Sequence, residues 1–136
     1  MNPIEEIKTR LRKYPHAKYE SNDSSISVFP TTDKGFTVEL IVNQKVYTVS
    51  FNGWHENFQS EEEAFNCFAF GLSNECRLKE YRRGNFAYRW SVESQENGEW
   101  IEDSTTGLLL FPFWKKAEVC YLQNNLIDGK KNIGKI

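Results

Sequence analysis

The chain has 136 residues, 39% hydrophobic and 15% aromatic, with 17 Lys and Arg against 19 Asp and Glu for a formal net charge of -2. That length allows one domain with a core of its own, and so much ring area excludes a disordered polar chain. The near balance of charge supplies no overall field towards phosphate or anionic lipid, so any such attraction must come from a local patch.

A first helix is predicted from Asn2, a capping residue followed by Pro3, Glu5 and Glu6, which suit the free amides and positive end of a first turn. Ile4, Ile7, Leu11 and Tyr14 then recur at helical spacing until Pro15, and the intervening Lys and Arg read as a solvated flank. Ile26 and Val28 suggest a strand before the turn-rich "PTTDKG". Residues 36–51 alternate as a hairpin whose loop at Asn43-Gln44 would pair Leu40 with Tyr47, Val38 with Val49 and Phe36 with Phe51. "GWHENF" follows as a loop, and Ser60 with Glu63 forms a capping box for a second helix carrying Ala64, Phe65, Phe68, Ala69 and Leu72 on one stripe. Gly71 and Ser73-Asn74 mark its end.

"CRLKEYRRGNFAYRWSVE" reads as a second hairpin about Gly84-Asn85. "QENG" turns the chain into Trp100-Ile101, and "GLLLF" and "AEVCYLQ" supply two more strands, the first apolar on both faces as a buried strand would be. The expected fold class is α+β: a single twisted antiparallel sheet of about six to seven strands with two helices packed on one face, in the order α-βββ-α-ββββ. Residues 1–127 form the expected domain and 128–136 a loose polar tail.

The charged start "MNPIEEIKTR" lacks the apolar stretch of a secretory leader, and no apolar run approaches the roughly 20 residues of a spanning helix, so no membrane span is expected. Cys67, Cys76 and Cys120 match no zinc or redox spacing and read as free thiols in a reducing cytoplasm; no metal or cofactor is expected. No phosphate-loop, dinucleotide, zinc-protease or nucleophile-elbow motif occurs. His55 and Glu56 with Cys67 or Cys76 are the nearest thing to an acid-base and nucleophile set, without a motif to bind them, and no enzyme is expected.

Basic residues mingle with rings over 77–90, a pattern shared by single-strand nucleic-acid binders. A two-residue loop at Gly84-Asn85 would gather Tyr81, Tyr88 and Trp90 on one inward face, whereas a three-residue loop would collect Arg77, Lys79, Arg83 and Arg89 on one side; the first register is expected, and nucleic acid is not. At Pro112 the "GLLLF" strand should bulge, end or reach an edge, leaving Phe113 and Trp114 on a bend beside Lys115 and Lys116, either folded over the core, the expected arrangement, or exposed as interface anchors. The expectation is a non-enzymatic cytoplasmic domain binding a protein partner or itself, as a homodimer, through a sheet edge or this bend. The alternative is a carrier of an apolar small molecule held by Phe36, Phe65, Phe68, Tyr88, Trp90 and Trp100. No motif identifies a family, but the order of elements over positions 1–93 resembles that of small bacterial secretion chaperones. That resemblance implies an acidic dimer holding protein partners on a sheet; the extra strands of the C-terminal third depart from it.

Overall fold

The computed structural model describes residues 2–128. Helix α1 (Pro3–Leu11) begins where the sequence places it: the Asn2 carboxamide oxygen accepts the Glu5 amide at 2.8 Å, and Ile4, Ile7 and Leu11 are buried. Strands β1 (Lys18–Ser21), β2 (Ser25–Phe29), β3 (Val38–Asn43), β4 (Val46–Phe51) and β5 (Trp54–Phe58) then form an antiparallel sheet in chain order. Helix α2 (Glu61–Leu72), capped by Ser60 Oγ on the Glu63 amide, lies against β3, β4 and β5 and reaches β6. Strands β6 (Cys76–Arg83), β7 (Phe86–Glu96), β8 (Glu99–Gly107) and β9 (Ala117–Leu122) make a second antiparallel sheet, ordered β8-β7-β6-β9.

The α+β class therefore holds, but the single sheet does not: there are two, of five and four strands. The sheets meet through side chains where a continuous ladder was expected. Trp54 Nε1 donates to Ser104 Oγ on β8 at 3.1 Å, and the Trp90 ring lies against Gly53, where a Cβ would sit 2.3 Å from it. One hydrophobic cluster nevertheless takes residues from both helices and both sheets. Two strands had no signature. β1 is exposed throughout, and in β5 Trp54 alone is buried, so neither shows the alternation by which a strand is read. The anticipated tail lies outside the described residues from 129 onward.

The first hairpin turns one residue later than the pattern predicts. Gln44 takes a left-handed φ of 58°, and Val38 faces Phe51, Leu40 faces Val49 and Val42 faces Tyr47. The shift slides partners by two residues, so the same side chains stay inward, which is why alternation alone does not distinguish the registers. Phe36 is thereby released from the ladder. Its amide donates to Asn124 Oδ1 at 3.0 Å, and Asn124 Nδ2 donates to the carbonyls of Phe36 at 3.0 Å and Gly71 at 2.9 Å. Asn124 belongs to the segment after β9, which returns to the end of α2 through Ile127, whose amide donates to the Leu72 carbonyl at 3.1 Å.

Helix α2 ends where the sequence marks it, at Leu72 with Ser73 as its cap, and Gly71 in the last turn is also a contact surface. A Cβ there would sit 2.3 Å from the Phe51 ring, itself stacked on Trp54 with centroids 4.7 Å apart. Gly71→Ala should accordingly lower stability by about 1–3 kcal/mol despite alanine's better helix propensity, because a full ring must shift in a packed core. Thermal unfolding decides between the two effects, and a raised Tm would show that propensity wins.

Candidate docking surface

The second hairpin places its side chains differently from the expected register. Gly84-Asn85 is the turn and Arg83 faces Phe86 as anticipated, but a β-bulge between Tyr81 and Arg82 then makes Tyr88 the extra residue. Beyond it Tyr81 faces Arg89 and Glu80 faces Trp90. Trp90 and Glu80 go inward together, indole Nε1 donating to Glu80 Oε2 at 3.0 Å, while Arg82 Nε donates to Glu80 Oε1 at 2.7 Å. Arg77, Lys79, Tyr81 and Arg83 alternate onto the outer side with Arg89. The arrangement expected only from a longer loop thus arises from a tight turn plus a bulge. On that face Arg77 is bound to Glu93 and lies over the rings of Trp100 and Tyr121, and Lys79 and Arg89 lie over Tyr81. These rings already carry cations from the same chain.

The apolar run at 107–111 is not a buried strand. β8 ends at Gly107, and Leu108 adds one further bond, its amide to the Tyr88 carbonyl at 2.7 Å. The sites beside β6 and β7 are already occupied by β9 and by the preceding stretch of β8 itself, so the run has no ladder to join. It leaves the sheet as a bend tied down at its base. Phe111 stacks on Tyr88 with centroids 4.1 Å apart, the Lys115 amide donates to the Pro112 carbonyl at 3.0 Å, and the Gly84 amide donates to the Lys116 carbonyl at 2.8 Å, delivering the chain into β9. Outside this base, Leu109 is 96% and Leu110 87% exposed.

Phe113 and Trp114 do not fold over the core: they are 70% and 72% exposed and touch each other edge to face at 5.3 Å. With Phe86, Leu109, Leu110, Phe111 and Pro112 they border an open apolar depression of about 600 Å³. Lys115 and Lys116 are exposed beside them. Arg83 Nε is buried without an acceptor, and Arg83 Nη1 reaches the Lys115 carbonyl at 3.5 Å, so backbone rather than carboxylate holds this guanidinium at the foot of the bend. The four residues singled out from the sequence, Phe113, Trp114, Lys115 and Lys116, thus lie together. Leu109 and Leu110, assigned to a buried strand by their pattern, belong with them.

The six pocket candidates do not converge. Phe36, Phe65, Phe68 and Trp90 belong to the core cluster, Tyr88 stacks under the bend, and Trp100 lies over Arg77 on the outer face. His55 is on β5 opposite Ser50, exposed, and not in a loop. Burial, reinforced by Glu56, pushes the Cys67 thiol up to about 12, and burial raises Cys76 well above the ordinary thiol value, so both are protonated and poor nucleophiles at neutral pH. Asp103, Ser104 and Thr105 lie on β8, bonded to Ser94, Trp54 and Ser91 respectively. Among the described residues no group of three His, Cys, Asp or Glu is placed to hold a metal ion, and no helix is long and apolar enough to cross a membrane. Comparison of the chain with family models, curated proteins and solved structures returned no match.

Proposed function

We propose that this chain is a docking module without chemistry of its own, attaching to another body through the bend at 108–114. The observation that carries this reading is the near-complete exposure of Leu109 and Leu110 beside Phe113 and Trp114. Each such side chain left in water forfeits about 1.5–3 kcal/mol that burial would return, and contact with a partner recovers it. Two of the four edge strands are weaker candidates. β8 presents Glu99, Glu102 and Asp103 and β1 is short and polar, both common ways of discouraging strand addition. A carrier cavity is less supported, because its six candidate residues are spread over core, bend and outer face. A protein partner or a second copy of the chain would receive the bend in an apolar pocket; a lipid surface would receive it without one.

The reading is tested by the triple substitution Leu109→Ser, Leu110→Ser, Trp114→Ser. Residues kept for contact and not for folding should be dispensable to the isolated chain. Unfolding free energy should change by less than about 0.5–1 kcal/mol, with weaker retention on a hydrophobic-interaction column. A stability loss above about 2 kcal/mol would mean that the bend is part of the core, and the docking reading would fall.

A further inference from the structure

We propose that the body this bend docks onto is an anionic lipid surface, with Leu109, Leu110, Phe113 and Trp114 entering the headgroup region and Arg83, Arg89, Lys115 and Lys116 binding lipid phosphates around them. The inference rests on the docking reading and adds the identity of the partner. Its foundation is charge segregation along the second sheet. At the end where the bend emerges stand Arg82, Arg83, Arg89, Lys115 and Lys116, against Glu80, which is buried and bridged to Arg82, and Glu118, which faces Arg82 across β9. At the other end, around the β7-β8 turn at Asn97-Gly98, stand Glu93, Glu96, Glu99, Glu102 and Asp103, with Arg77 bound to Glu93.

On β8 the nearest of these acids, Asp103, lies about 13 Å from Gly107 at about 3.3 Å per residue, and Glu99 about 26 Å. Both distances exceed the roughly 8–10 Å screening length of physiological salt, so a surface at the bend meets the basic pole with the acidic one largely screened. A chain whose formal charge is only -2 overall thus carries a cationic end, and among the described residues that end holds the most exposed large apolar side chains.

The shape of the bend favours lipid over protein. Its largest side chains project, with Leu109 exposed to 96%, whereas a protein-binding anchor needs a matching pocket on its partner. A fluid interface accepts projecting leucines without complementarity, and Trp and Phe favour the headgroup level. Lys115 and Lys116 follow Trp114 directly, where long stems can lie along the apolar surface with their charges among phosphates. The Tyr88-Phe111 stack and the Gly84-Lys116 hydrogen bond fix the base, so little backbone must be ordered on contact. A second copy of the chain meeting tip to tip would bring two cationic collars together.

The test uses the full chain and vesicles of phosphatidylcholine, either alone or with about one-third phosphatidylglycerol, in a co-sedimentation assay. Partitioning should be at least about tenfold stronger onto the anionic vesicles, should weaken as salt is raised, and should shift tryptophan emission to the blue. Lys115→Gln with Lys116→Gln should weaken anionic binding by about 25-fold, near fivefold for each charge, at unchanged Tm. Leu109→Ser with Leu110→Ser should abolish the blue shift while the collar remains. Equal binding to both vesicle types, or none to the anionic ones, overturns the lipid assignment. If the folded chain ignores vesicles but self-associates in sedimentation velocity, and the serine variant stays stable and monomeric, docking stands with a second copy as partner. Unfolding of the serine variants would remove both readings.

Discussion

Asn124→Leu should lower the unfolding free energy by about 3–5 kcal/mol, although leucine nearly matches the asparagine in volume. The side chain is 7% exposed and makes three hydrogen bonds with backbone groups: it accepts from the Phe36 amide and donates to the Phe36 and Gly71 carbonyls. Leucine fills the volume but supplies neither donor nor acceptor, leaving groups buried that neither strand nor helix satisfies. The cost is that of stranding them, about 1–3 kcal/mol each before relaxation. Asn124→Asp should be worse at neutral pH, because a carboxylate oxygen would then face two carbonyl oxygens. Those carbonyls favour the protonated acid, raising its pKa in the folded chain above the unfolded value. The deficit should therefore shrink as pH falls through the folded pKa, when the acid gains a proton to donate. Urea unfolding followed by tryptophan fluorescence checks both, and a loss under about 1 kcal/mol for the leucine variant would show that water reaches the clamp.

That clamp also marks where the sequence ceases to be legible. Helix starts are local chemistry, so Asn2 and Ser60 could be recognised as caps from a few neighbouring residues. The core stripe of α2 was legible for the same reason: residues three and four apart share a face whatever they pack on. Asn124 meets Phe36 across 88 positions, and no local pattern distinguishes it from the adjacent Asn125. The bulge at Tyr81-Arg82 is a further case. Alternation fixes which residues share a face only while the count is unbroken, and one extra residue transferred Arg89 to the side of Arg77 and Lys79.

The docking bend was half legible. Phe113 to Lys116 do stand together, but regular structure ends at Gly107, before Pro112 is reached. Leu108–Leu110 were misread because an apolar run has the same composition whether it is buried in its own chain or held out for another. Only the occupation of the neighbouring strand positions by β9 and β8 shows that the run has no place inside.

Glu80 carries the second large effect. It is 4% exposed, and its two oxygens receive the Trp90 indole and the Arg82 guanidinium, so it ties the ring that contacts the first sheet to the outer half of β6. Glu80→Ala removes both acceptors and strands the buried indole N–H, while the 38% exposed Arg82 side chain can turn to water, with an expected loss of about 2–4 kcal/mol. Glu80→Gln separates the contributions: its carbonyl oxygen still accepts one bond while the charge is gone, and the loss should fall to about 1–3 kcal/mol. Trp90→Phe removes the indole donor and part of the ring resting on Gly53, so it should cost about 1–3 kcal/mol alone and less in the Glu80→Ala background, where the bond is already absent. A double-mutant cycle with a coupling energy near zero would show that the Trp90-Glu80 bond contributes nothing, and would locate the junction between the sheets in ring packing against Gly53.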